Sequence, residues 1–212
     1  AQDLARLLAD PRCTVCVLGP GLPPNEATRQ CVYAALDADV CLVLDAGALS
    51  AFAGMATTLC ERIAARAAPV VLTPHTGEFR RVFGTVAGTK LQQAQAAAAR
   101  SGAVVVLKGA DTVVAHPNGL GTCTYVNANA PPWLATAGSG DVLCGVVAGL
   151  LAAQQPDDDA ARLASTVALG VWLHGEAALE AGPALVASDL EPALRTVLQR
   201  IFPRSFSPLS AM

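Results

Sequence analysis

Four short, almost wholly apolar runs recur along this chain, at 13–18, 40–44, 70–72 and 104–107. Each closes on a polar or glycine-rich cluster, and a helix-length stretch follows. Runs of this kind suit strands whose two sheet faces are both covered. Strand–helix alternation then predicts an α/β chain with a mainly parallel sheet and right-handed crossovers. That topology gathers the four clusters along one edge, at the carboxyl ends of the strands, where open α/β sheets place ligands. Helices are expected at 3–9, 26–38, 55–67, 88–101, 142–154, 160–179 and 192–201. Two short alternating strands at 112–115 and 122–126 flank Asn118-Gly119 as a hairpin. Ser188-Asp189-Leu190-Glu191 has capping-box spacing before the last helix.

Composition excludes several classes. Hydrophobic residues make up 53% and charged ones 15%, so the chain has material for a sizeable core. A net charge of −3 leaves no electrostatic footprint for nucleic acid or a membrane surface. No apolar segment reaches spanning length, and the first residues lack the pattern of a signal peptide. The seven cysteines read as small buried hydrophobes. Cys13 and Cys16 have C-x-x-C spacing, but on a strand residues three apart point to opposite faces. No metal site is expected. No linker divides 1–202, and 203–212 reads as a flexible tail.

The stretch Ala135-Thr136-Ala137-Gly138-Ser139-Gly140-Asp141, followed by an apolar helix, is where chemistry is expected. A helix start leaves backbone N–H groups unpaired, and with the dipole they attract an anion such as phosphate. Gly138 and Gly140 allow close approach to a ligand. Asp141 in the first turn is placed to take a proton from a hydroxyl attacking that phosphate. A glycine-rich helix start with a plain N-terminal Asp stays open on spacing alone. At the strand ends, Gly19-Pro20-Gly21-Leu22 is equally a turn or a ligand loop. Asp45 reaches a ligand or metal, or caps the next turn. His75, between Pro74 and Gly77, is favoured for a ligand role. Lys108-Gly109 holds a phosphate or turns outward. His116 flanks the hairpin, and His174 is read as packing.

Taken together, Gly19-Pro20-Gly21-Leu22, Asp45-Ala46-Gly47-Ala48-Leu49, Leu72-Thr73-Pro74-His75-Thr76-Gly77-Glu78, Leu107-Lys108-Gly109 and residues 135–143 resemble a family in motif and order. It is that of the ADP/ATP-dependent NAD(P)H-hydrate dehydratases, within the ribokinase-like superfamily. The resemblance runs from about Cys13 to Leu190. It implies a ribokinase-like three-layer sandwich and repair of hydrated NADH or NADPH in the cytoplasm. A nucleoside di- or triphosphate with Mg2+ phosphorylates the added hydroxyl, and phosphate then leaves. It also implies a small-molecule substrate, an adenine nucleotide and a homo-oligomer. Carried over, Gly21, His75 and Asp141 would touch the hydrated cofactor, with Asp141 as base. Ser139 and Gly140 would hold the transferring phosphoryl group through their N–H groups. Lys108, Gly109, Ala110, Asp111 and Thr112, with Gly138, would line the nucleotide.

The chain departs from the family at Pro23, at Gly47 where a carboxylate is usual, and at Asn129-Ala130-Pro131-Pro132-Trp133, which is bulkier than the usual segment. The family's earlier strand and glycine-rich segment would lie before Ala1, so an N-terminally shortened member is expected. An inactive nucleotide-binding module and a kinase of hydroxyethylthiazole type are the alternatives.

Overall fold

A computed structural model of the chain describes residues 1–118, 121–154 and 160–202. The expected tail at 203–212 and the hairpin tip at 119–120 lie outside the described residues. Strands β1 (Val15–Leu18), β2 (Cys41–Leu44), β3 (Val70–Leu72) and β4 (Val104–Leu107) pair in that order, all parallel. β5 (Thr112–Asn118) and β6 (Gly121–Asn127) continue the sheet antiparallel. Every link from β1 to β4 steps the same way across the sheet, so right-handed crossovers put the connecting helices on one face.

These helices are α2 (Glu26–Leu36), α3 (Ala46–Ser50), α4 (Ala56–Ala64), α5 (Thr76–Phe83) and α6 (Lys90–Ser101), joined by α1 (Gln2–Leu8). The alternation of side chains along each strand splits the core. Leu42, Leu44, Leu72, Val105 and Leu107 pack against Val32, Phe52, Leu59 and Phe79 on the α2–α6 face. Val43, Val71, Val104 and Val106 meet Leu143, Val147, Val167 and Val171 on the other. Those last four belong to α7 (Ser139–Ala152) and α8 (Ala160–Ala181), while α9 (Leu190–Ile201) packs beside α8 through Leu190 and Ala193. The result is the expected three-layer sandwich with a mainly parallel sheet.

Three differences from expectation have local causes. α3 and α5 arise in stretches expected as strand-end loops, because five and eight residues are too few for a periodic signal. α7 starts at Ser139 rather than 142, so the glycine motif is itself the first helical turn. Ser188 and Glu191 do not form a capping box; instead Asp189 Oδ2 accepts from the Val186 N–H at 2.8 Å. The cysteines also differ. All seven are free thiols, but only Cys60 and Cys144 are buried. Cys13 lies before β1 rather than in it.

The fold makes a pH prediction. Burial lowers the His116 imidazole. It pushes His174 down to about 4, opposed by the Ser139 backbone and reinforced by the Lys108 charge. The unfolded chain therefore binds more protons than the folded one below about pH 6.5. Stability is expected to be full above that value and to fall as pH drops towards 4. Urea midpoints across that range check this; a flat profile would show that both histidines are freely protonated in the folded state.

Candidate active site

The carboxyl ends of β1 to β4 align, since Leu18 pairs with Leu44, Leu44 with Leu72, and Leu72 with Val105. The clusters at 19–23, 45–49, 73–78 and 108–112 therefore meet at one edge. Beyond the strands, His75 and Lys108 form an isolated parallel bridge, with the Lys108 N–H donating to the Pro74 carbonyl at 2.9 Å.

The first two loops interlock. The Gly47 N–H donates to the Gly19 carbonyl, and a Cβ at Gly47 would overlap the Leu22 carbonyl oxygen. This explains the absence of a carboxylate at 47: the 19–22 loop occupies the space a side chain would need. Gly21 is exposed on the outer side of that loop.

Asp45 neither caps the following helix nor stands open to a ligand. Its side chain is 3% exposed and its Oδ1 accepts from Lys108 Nζ at 2.7 Å. The Cys144 thiol donates to its Oδ2 at 3.4 Å. Burial first, and then the neighbouring Asp45, pushes that thiol up to about 12, so it stays a neutral donor. Cys144 is thus a polar partner of the site and not only a buried hydrophobe. Nothing in an isolated cysteine within an apolar helix signals that role.

Lys108 is neither turned outward nor free. Its stem runs to Asp45, and its Nζ lies 3.3 Å from where a Gly140 Cβ would be. A side chain at 140 would crowd the cation against the first turn of α7. Gly138, the N-cap, has φ of 82° and provides no side-chain cap. Ser139 cannot supply one, because its Oγ donates to the Thr136 carbonyl at 2.9 Å. The Ser139 and Asp141 N–H groups donate to the carbonyls of Thr136 and Gly138. The Gly140 N–H has no partner among the described residues. Asp141 is exposed beside it, and its carboxylate also has none there.

His75 is first of all a helix cap. Its Nδ1 accepts from the Gly77 N–H at 2.9 Å, and Glu78 Oε2 accepts from the His75 N–H at 2.9 Å. Half of the side chain is exposed at the edge. His75→Asn keeps a capping acceptor, whereas His75→Ala removes it. The alanine variant is expected to lose about 1 kcal/mol of stability and the asparagine variant much less. Melting curves of both check this; equal losses would deny the cap.

The 108–112 loop is tied from outside. Lys90 Nζ donates to the Asp111 carbonyl at 2.6 Å and to its Oδ1 at 2.8 Å. That ammonium holds the Asp111 carboxyl below its ordinary value. Thr112 Oγ1 closes the turn on the Gly109 carbonyl at 2.9 Å. Gly109, Ala110 and Asp111 are exposed, and Thr112 is buried. Of the residues expected from sequence, Gly21, His75, Lys108–Thr112 and 138–141 all come to this edge. A broad cavity of about 1070 Å³ lies at the opposite pole, at the amino ends of the strands, lined among others by Cys41, Arg66 and His116. None of the residues in the family motifs lines it. Among the described residues no helix is long and apolar enough to cross a membrane.

The profile of the NAD(P)H-hydrate dehydratases matches residues 2–200. A bifunctional NAD(P)H-hydrate repair enzyme of Thermosynechococcus vestitus is 40% identical over 192 residues, covering 85% of this chain and 34% of that protein. A second, from Mycobacterium tuberculosis, is 42% identical over 146 residues, 68% of this chain and 29% of the other. The chain thus spans about a third of the length of these curated relatives. Among solved structures, the ADP/ATP-dependent NAD(P)H-hydrate dehydratase of Bacillus subtilis, co-crystallized with ATP/Mg2+, has a TM-score of 0.71 at 33% identity, covering 88% of this chain and 64% of that one. A ribokinase-like superfamily protein of Enterococcus faecalis has a TM-score of 0.72 at 25% identity, with 94% and 66% covered. A hydroxyethylthiazole kinase of Pyrococcus horikoshii, 18% identical at a TM-score of 0.61, shares the fold alone. With a ribokinase-like fold and a profile match over nearly its whole length, the chain belongs to the NAD(P)H-hydrate dehydratase family.

Proposed function

We propose that this chain carries the nucleotide-dependent dehydration of NADH or NADPH to which water has added across the nicotinamide ring. One observation carries the reading: Lys108 Nζ, an unpartnered Gly140 N–H and the exposed Asp141 carboxylate converge at the first turn of α7. A cation and an N–H at a helix start suit a phosphate, and a carboxylate beside them suits a hydroxyl that must lose its proton.

In this reading the terminal phosphate of the nucleotide sits against the Gly140 N–H, with the α7 dipole and Lys108 stabilising charge as it shifts. The Ser139 N–H adds to this once it leaves its long bond to Thr136. Asp141 takes the proton of the ring hydroxyl. The hydroxyl oxygen bonds to phosphorus as the bond from phosphorus to the nucleotide's bridging oxygen breaks. Phosphate then departs from the ring with the electrons of the carbon–oxygen bond, the neighbouring ring carbon gives up its proton to the departing phosphate, and the reduced nicotinamide is restored. Gly21 and His75, on neighbouring loops, flank the ring, and the 108–112 loop lies along the nucleotide. Mg2+ fits here as a companion of the nucleotide, since it needs few protein ligands. The described residues hold no group of three His, Cys, Asp or Glu side chains to cage it. Bound through the nucleotide's own phosphate oxygens, the ion would screen phosphate charge. Seven free thiols suit a reducing compartment such as the cytoplasm.

The test is to incubate the chain with hydrated NADH and with ADP or ATP, following the return of reduced-nicotinamide absorbance. Nucleotide-dependent recovery is expected. Phosphorylation of a small alcohol such as hydroxyethylthiazole without that recovery would favour the kinase. Nucleotide binding with neither reaction would favour the inactive module.

A further inference from the structure

Gly140 and Cys144 lie four residues apart on α7, so they share the helix face that meets the ends of β2, β3 and β4. Asp45, at the end of β2, reaches both. Its Oδ2 is 3.6 Å from where a Gly140 Cβ would be, and accepts from the Cys144 thiol at 3.4 Å. Behind the thiol, the Thr73 Oγ1 lies 3.6 Å from the Cys144 Sγ and 3.3 Å from the Leu44 carbonyl oxygen. Thr73 and Cys144 are fully buried. A thiol has one proton, and the carboxylate is its stronger acceptor. On the other side, Asp45 Oδ1 takes one of the three N–H groups of Lys108 Nζ. Packing alone is a poor account of a thiol at 144. The apolar layer around it, with Val43, Val71, Leu143 and Val147, would be served by alanine or valine. Neither would give Asp45 Oδ2 a donor.

We propose that Cys144 is a positioning residue: its thiol holds Asp45 Oδ2, so that Oδ1 alone engages Lys108 and the remaining Nζ donors stay turned to the nucleotide's terminal phosphate. This rests on the reading of the first turn of α7 given under Proposed function. Cys144 is buried within the helix and does not touch the substrate. The thiol stays protonated at neutral pH, so its donor is not lost by ionisation. Without that donor, Lys108 is the one side-chain partner left to the buried carboxylate among the described residues. The carboxylate then gains by meeting the ammonium with both oxygens. That rotation draws Nζ off the turn and weakens its hold on phosphate.

The test compares the 212-residue chain with its Cys144→Ala and Cys144→Ser variants, by thermal melting and by calorimetric titration with ADP and with adenosine. The alanine variant should bind adenosine as the parent does. Its ADP affinity should fall about tenfold, the scale of one weakened hydrogen bond to a charged group. Serine, which keeps a donor at this place, should hold ADP affinity to within about threefold of the parent. Lost packing shows in the melting curves but leaves the ratio of ADP to adenosine affinity unchanged. Cys144→Val, nearer to the thiol in volume, repeats the measurement if alanine prevents folding. Undiminished ADP affinity in the apolar variants would overturn the inference, as would an equal loss of ADP and adenosine, or a serine variant as weak as the alanine one. A parent that binds ADP no more tightly than adenosine would instead withdraw the phosphate turn itself, and Cys144's role with it.

Discussion

Replacing Asp141 by asparagine is expected to lower turnover of hydrated NADH by about two orders of magnitude or more, with nucleotide affinity nearly unchanged. The substitution keeps shape and hydrogen-bonding reach but removes the proton acceptor. Asp141 is exposed at the first turn of α7 and no neighbour's hydrogen bonds depend on its charge, so stability should hardly move. A fall in kcat with KM for nucleotide preserved is the pattern of a group that acts only in the transition state. Steady-state kinetics check it. Near-normal turnover in this variant removes Asp141 from the role of base.

The second large effect is on stability. Lys108 and Asp45 form an ion pair with side chains 18% and 3% exposed. Lys108→Met leaves the Asp45 carboxylate buried with, among the described residues, only the Cys144 thiol as side-chain partner. Stranding a buried charge in this way costs about 3–5 kcal/mol, a large share of the roughly 5–15 kcal/mol that holds a domain together. Adding Asp45→Asn to Lys108→Met removes the stranded charge and should recover at least half of the loss. Urea denaturation of the single and double variants measures this. A single variant as stable as the parent would show that the pair contributes little beyond geometry. Because Lys108 Nζ also lies against Gly140, the double variant should regain stability without regaining ADP affinity.

The frame was legible in the sequence, because β2, β3 and β4 are buried on both faces and read as unbroken apolar runs. The edge that collects Gly21, His75, Lys108 and Asp141 followed from parallel topology alone. What the sequence did not reveal was how side chains partner across loops. Asp45 and Lys108 are 63 residues apart, and Asp45 and Cys144 are 99 apart. No local spacing encodes such pairs. His75 looked like a ligand because it ends a strand, yet its Nδ1 caps a helix too short to show a period. His174 looked like packing because its neighbours on α8 are apolar, and it is indeed buried there.

The central claim is that the carboxyl edge of the sheet, and not the cavity at the other pole, receives the nucleotide. A crystal structure of the chain with ADP tests it most directly. The account predicts the adenosine along the Lys108–Thr112 loop and the terminal phosphate within hydrogen-bond reach of the Gly140 N–H, next to Asp141. ADP seated among Arg66, His116 and Cys41, or anywhere away from the first turn of α7, would contradict it.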